Sequence, residues 1–193
     1  MLKIGLTGNI GSGKTWVCKV FEALGIPVFY ADLEARTVLN SPIVIEKIIE
    51  TFGTSVALNS KEIDRKALAS IVFNDSSELD KLNKLIHPKL RSNFIDWTNS
   101  QNHASYVIQE AAILFENGFD SLMDQTITVS APQEIRLKRV MERDKATESE
   151  VLARMNHQWS DKKKEDAADF IIINDGKKMV LPQILNIHKN FIQ

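Results

Sequence analysis

Eight residues near the start of the sequence, Gly8-Asn9-Ile10-Gly11-Ser12-Gly13-Lys14-Thr15, set three glycines ahead of a lysine and a hydroxyl. A nucleoside triphosphate carries several negative charges on bulky oxygens, so a chain that holds one must wrap it with backbone N–H groups. Glycines at 8, 11 and 13 remove the Cβ atoms that would block such an approach. A helix opening near Lys14 would aim its unpaired N–H groups and positive dipole end at the same place. The Lys14 ammonium would then reach the β- and γ-phosphates, and the Thr15 hydroxyl would ligate Mg²⁺. The octet fits the phosphate-binding loop (P-loop) pattern at each fixed position and predicts a site for ATP and Mg²⁺. Trp16 follows directly and is a candidate lining residue of the nucleotide site.

Phosphoryl transfer to an alcohol also needs a carboxylate that orients the hydroxyl, and cations over the transferring group. Asp32 ends a short apolar run, Val28-Phe29-Tyr30-Ala31, and is the candidate base; the plainer alternative is a helix N-cap. Glu110 closes another apolar run and would hold a Mg²⁺-bound water, or would merely meet solvent there. Arg136, Arg139 and Arg143 recur at i, i+3 and i+7 and so share one helix face, with Arg154 further on. Arg139 and Arg143 are expected to clamp phosphate oxygens, with Arg136 and Arg154 weaker candidates, although an arginine row is often just a solvated face. The four histidines show no metal spacing, and Cys18 is expected to be a packing residue.

These residues need a scaffold, and the hydrophobic pattern supplies one. A strand at about 2 to 7 runs into the glycine loop, and a helix follows from about Lys14 to Leu24, stopped by Gly25 and Pro27. Val28 to Ala31 is a buried second strand, which makes the opening unit strand, helix, strand and implies a parallel sheet. From about 33 to 100 the texture is helical: Ser41-Pro42 reads as a start, and Ile43, Ile45, Ile48 and Ile49 as a stripe. His87-Pro88 is expected to break or kink the helix containing Leu79 to Ile86. Strands return near Tyr106 to Ile108, Thr126 to Val129 and, as a last buried strand, Phe170 to Ile173. Ser130 with Gln133, and Thr147 with Glu150, read as capping boxes. The fold class expected is α/β with a parallel core sheet, one domain over 1–193. It carries a helical acceptor subdomain at about 33–100 and a lid at about 136–160.

Composition narrows the function classes. The 193 residues carry 44% hydrophobic and 25% charged side chains, as soluble globular chains do. A net charge of −1 gives no bulk reason to expect a nucleic-acid partner. A single cysteine excludes an intramolecular disulfide and suits a reducing cytoplasm. No run approaches the length of a membrane span, and Met1 to Thr7 reads as a strand rather than a signal peptide. The oligomeric state is not legible.

Beyond the P-loop, the chain resembles the dephospho-CoA kinase family nearly end to end. Ile4-Gly5-Leu6-Thr7-Gly8 is similar to that family's opening, and Phe52-Gly53 and Ile63-Asp64-Arg65 to its later pairs and triplets. Leu82-Asn83 with His87-Pro88 resembles its LN…HP signature, and Ile113-Leu114-Phe115-Glu116 its LLFE segment. Arg139, Arg143, Arg154 and Gln158 match its lid pattern; Ala168-Asp169 and Asn174-Asp175-Gly176 match its last strand and turn. The resemblance implies ATP-dependent phosphorylation of the ribose 3′-hydroxyl of dephospho-CoA, with Asp32 as catalytic aspartate. Asn174 is expected in the ATP site, and Thr7, Asp64, Arg65, His87 and Arg91 in the acceptor site. Trp16, Tyr30, Ala112 and Glu110 depart from the family pattern, where threonine or serine, aspartate, proline and aspartate are usual. Two other readings stay open: a kinase for another small alcohol or a nucleoside monophosphate, and a nucleotide-dependent switch. The second lacks an N-K-x-D or D-x-x-G motif.

Overall fold

The strands are β1 (Leu2–Thr7), β2 (Val28–Tyr30), β3 (Ala57–Asn59), β4 (Glu62–Ile63), β5 (Tyr106–Glu110), β6 (Gln125–Ser130) and β7 (Phe170–Ile173). The helices are α1 (Lys14–Ala23), α2 (Ala31–Leu39), α3 (Pro42–Phe52), α4 (Arg65–Val72), α5 (Ser76–Ser100), α6 (Gln133–Asp144), α7 (Glu148–Met155), α8 (Asp161–Ala167) and α9 (Val180–Phe191). They come from a computed structural model that describes residues 1–59, 61–72 and 75–192. The chain divides into two compact units, Met1–Tyr30 together with the chain from Gln101 onward, and Ala31–Ser100.

The first unit is built on a five-stranded sheet of order β2-β5-β1-β6-β7, every pairing parallel. β1 and β5 lie inside it and are covered on both faces, so they read as near-continuous apolar runs rather than alternating ones. Ile4, Leu6, Ile108, Ile127, Val129 and Ile172 pack with Val17, Cys18 and Phe21 of α1 and Ile184, Ile187 and Phe191 of α9. Each such side chain contributes about 1.5–3 kcal/mol by leaving water. The register pairs Leu6 and Tyr30 with Glu110, Thr7 with Thr128, and Ser130 with Ile173. The carboxyl ends of the strands therefore line one edge, where open parallel sheets bind ligands. β7 is an edge strand with only Ile172 buried, not the fully buried strand its apolar run suggested. An edge strand has a neighbour on one side only, so Ile171 is left exposed.

Two capping expectations divide. Thr147 and Glu150 close a capping box at the start of α7. Ser130 and Gln133 do not: Pro132 occupies the N-cap of α6, and the Ser130 hydroxyl donates instead to Glu165. Pro132 fixes φ where the helix must begin, which moves the start past the serine.

The second unit is helical around Val38, Val44, Ile45, Ile48, Val56, Leu68, Val72, Leu82 and Ile86. The stripe on α3 is Val44, Ile45 and Ile48, with Ile43 left exposed. The helical reading of this stretch missed the short antiparallel pair β3–β4, whose strands are too brief to show alternation. α5 runs unbroken through His87 and Pro88. Leu82, Ile86, Leu90 and Phe94 are all buried at four-residue spacing, and this shared face holds the helix across the proline. No described helix is long and apolar enough to cross a membrane.

Candidate active site

Gly8, Gly11 and Gly13 all have positive φ, and the loop between β1 and α1 closes on itself through Ser12 N–H to Asn9 O at 3.0 Å. At Gly11 the need for glycine is steric as well as torsional. With φ at +81°, a Cβ there would sit 2.5 Å from the Arg136 carbonyl oxygen on the first turn of α6. Gly11→Ala is expected to lower both the melting temperature and ATP affinity, read by thermal unfolding and calorimetric titration. An unchanged ATP affinity would show that the loop tolerates the methyl group.

Lys14 opens α1, and its ammonium donates to the Gly8 carbonyl at 2.8 Å and lies 3.8 Å from a Glu110 carboxylate oxygen. Both side chains are about nine-tenths buried, at 11% and 10% exposure. Sequence spacing alone could not say whether Glu110 meets solvent or the loop lysine; the structure puts it beside the lysine. Thr15 and Trp16 are exposed on α1. Burial pushes the Cys18 thiol well up, Glu110 adds to the rise and Lys14 opposes it, so Cys18 stays an uncharged packing residue.

The arginine row separates into three roles. Arg139 donates to the Gly11 carbonyl at 3.3 Å and to the Asn174 carbonyl and side-chain oxygens at 3.4 and 3.3 Å. Asn174 in turn donates to the Ser12 carbonyl at 2.7 Å, which ties β7's end to the loop. Arg143 is turned outward, both of its bonds going to Asp144, which Arg154 also contacts at 2.8 Å. Arg136, only 3% exposed, donates to the carbonyls of Ala131 and Ile10 and pairs with Asp161 at 2.5 Å. It braces the loop from behind. The structure thus brings Arg139 and Asn174 to the P-loop and leaves Arg143 and Arg154 on the surface.

A second cluster gathers Glu116, Gln158 and Thr7, singled out in the sequence, around a lysine that the sequence reading did not single out. Lys164, the last of three consecutive lysines, is 1% exposed; it donates to the Ala112 carbonyl at 2.6 Å and pairs with Glu116 at 3.0 Å. Burial pulls its ammonium pKa down while Glu116 holds it up. The Glu116 oxygen also accepts Trp159 N–H at 2.9 Å, and the Trp159 ring stacks on Phe115. Gln158 accepts from Ile10 N–H at 2.8 Å, and Asn9 donates to Trp159 O and Asp161. Thr7 donates to the Ala112 carbonyl at 3.4 Å. For Lys164 itself the sequence signal is Ser160, which caps α8 and places Lys164 one turn in; a run of lysines otherwise reads as a wet face.

The remaining candidates lie in the second unit. Asp32 is exposed in the first turn of α2. Asp64 accepts from the N–H groups of Lys66 and Ala67 at 2.9 and 3.1 Å and so caps α4. Arg65 donates to Asn40 at 3.0 Å, and the two border a polar hollow with Asn59, Lys61, Glu62 and Ile63. His87 and Arg91 stand one turn apart on α5, and burial together with the Arg91 charge lowers the His87 pKa, leaving its ring neutral near pH 7.

The family model for dephospho-CoA kinase matches residues 2–179. The chain belongs to the dephospho-CoA kinase family. A Bacteroides fragilis dephospho-CoA kinase is 35% identical over 187 residues, spanning 96% of this chain and 91% of that one. The crystal structure of a Thermus thermophilus protein superposes with a TM-score of 0.86 at 31% identity, covering 99% of this chain and 96% of the other. That of the dephospho-CoA kinase from Campylobacter jejuni gives 0.68 at 28% identity, over 97% and 96%. The P-loop, Lys14, Glu110, Arg139 and Lys164 all lie within the matched range 2–179.

Proposed function

We propose that this chain transfers the γ-phosphoryl group of ATP to the ribose 3′-hydroxyl of dephospho-CoA, the final step of coenzyme A synthesis. The observation that carries this reading is a complete phosphate cradle within a family matched from residue 2 to 179. Lys14 would leave Gly8 O for the β- and γ-phosphates, where a fixed ammonium neutralises developing charge without reorganising solvent. Arg139, already at Gly11 O, would bridge to the phosphate oxygens, and Arg143 would join it by exchanging Asp144 for phosphate as the helices at 136–160 close.

Asp32 would accept the proton of the acceptor hydroxyl. It follows by two residues Tyr30, which pairs with Glu110 at the strand ends. Mg²⁺ fits the hard oxygen donors here: the Thr15 hydroxyl directly and the Glu110 carboxylate through water. The fit rests on Glu110, a buried carboxylate beside the loop lysine, and on a hydroxyl exposed at the helix start. When bound, the ion would supply positive charge against the developing negative charge of the phosphates. Thr7, Asp64, Arg65, His87 and Arg91 are assigned to the acceptor side, Asn174 to the nucleotide side and the cytoplasm to the setting.

The test follows ADP release from ATP and Mg²⁺ with dephospho-CoA, adenosine, AMP or shikimate as acceptor. Turnover with dephospho-CoA alone, yielding a product that runs as CoA, is the expected result. Turnover with another acceptor would keep the chemistry and overturn the substrate. Tight ATP binding with no acceptor-dependent turnover would favour a switch.

A further inference from the structure

A buried lysine is expensive to hold, and the hydrogen bonds of Lys164 do not go to the P-loop. Its two partners are instead the Ala112 carbonyl and Glu116, both on the stretch that continues β5 beyond Glu110. The same two groups anchor the 158–159 turn, through Gln158 Nε2 to Ala112 O at 3.4 Å and Trp159 N–H to Glu116 at 2.9 Å. That turn then grips the P-loop: Gln158 takes Ile10 N–H, and Trp159 O with Asp161 takes the Asn9 amide. Ala112 O is also where the Thr7 hydroxyl, the last residue before the loop, is tied.

We propose that Lys164 is a positioning residue for the ATP site, its ammonium fixing the Ala112–Glu116 stretch and the 158–161 turn that together set the Asn9–Ile10 arm of the P-loop. The ammonium has three N–H donors, and two of them are spent on these acceptors, which crosslinks α8 to the segment after β5. The role is distinct from that of Lys14, which carries charge to the phosphates. Three charged groups bear on Lys164: Glu116 and Asp161, which hold its charge, and Lys14, which opposes it. Removing the ammonium leaves Glu116 buried without its cation and leaves the turn tied only through Gln158 to Ala112 O and Trp159 N–H to Glu116, so the arm is set less firmly.

The inference presumes that ATP is the nucleotide bound, as proposed above, and its test needs no acceptor. Lys164→Met and the double variant Lys164→Met/Glu116→Leu are compared with the parent chain by thermal unfolding and by calorimetric titration with ATP and Mg²⁺. Lys164→Met is expected to lower the melting temperature and weaken ATP binding about tenfold, the effect of losing one hydrogen bond to a charged group. The double variant replaces the buried pair by apolar side chains of similar volume and is expected to regain the melting temperature. Its ATP affinity is expected to stay about tenfold down, because neither side chain ties the turn. Recovery of affinity together with stability would overturn the proposal and leave Lys164 a purely structural residue. Unchanged ATP affinity in the single variant would overturn it too. Dephospho-CoA turnover by the parent chain, measured separately, reports only on the substrate reading.

Discussion

Lys14→Met is expected to lower kcat by about 10²–10³-fold, the usual consequence of deleting one preorganised donor to a developing anion. The ammonium sits nine-tenths buried, 2.8 Å from Gly8 O and 3.8 Å from Glu110. It is therefore held near the mouth of the loop before nucleotide arrives, and little reorganisation is needed to meet a phosphate. Methionine keeps the aliphatic stem and its packing while removing the charge, so the helix should survive. ATP affinity should fall less than kcat, because backbone N–H groups and the α1 terminus hold the ground-state phosphates without it. Glu110 loses its nearby cation in this variant. Single-turnover rates alongside ATP titrations separate the two effects. An equal fall in affinity and rate would mean that Lys14 binds ATP and does nothing further in the transition state.

How much of this was legible in the sequence follows from what each signal depends on. The P-loop was readable because its requirement is local: three positive-φ positions and a helix start lie within eight residues. The parallel sheet was readable because strands covered on both faces lose alternation, and β1 and β5 do so plainly. What failed depended on partners far along the chain. Nothing near Lys164 says that Ala112 and Glu116 will meet it, and lysine is seldom buried unless paired. Arg136 shares a helix face with Arg139, yet Asp161, far along the chain, claims it. Periodicity gives the face but not the acid opposite it. Pro88 does not break α5, since the tertiary packing of Leu82, Ile86, Leu90 and Phe94 outweighs one lost helical hydrogen bond. The family resemblance supplied what local physics could not, the substrate and the order of the motifs.

Asp32→Asn is expected to reduce kcat by about 10²–10⁴-fold, the range for removing a positioned general base, while leaving the dissociation constant for ATP within about twofold. Asparagine is nearly isosteric and offers its side-chain oxygen to the acceptor hydroxyl, so orientation is retained and only proton acceptance is lost. The carboxylate lies in the first turn of α2. It would take the proton late, as the hydroxyl is made acidic by bonding to phosphorus. A loose transition state asks for little more, because the leaving ADP carries most of the charge and Lys14 and Arg139 answer that charge. Asp32→Glu separates geometry from basicity: it keeps the carboxylate but displaces it by one methylene. If position dominates, Asp32→Glu should lose nearly as much as Asp32→Asn, since a displacement near 1 Å costs about 10²-fold. If Asp32, the second residue of α2 rather than its N-cap, serves only the first helical turn, both variants should retain kcat within a few-fold of the parent. The kcat values of the two variants therefore decide between the base and a structural role.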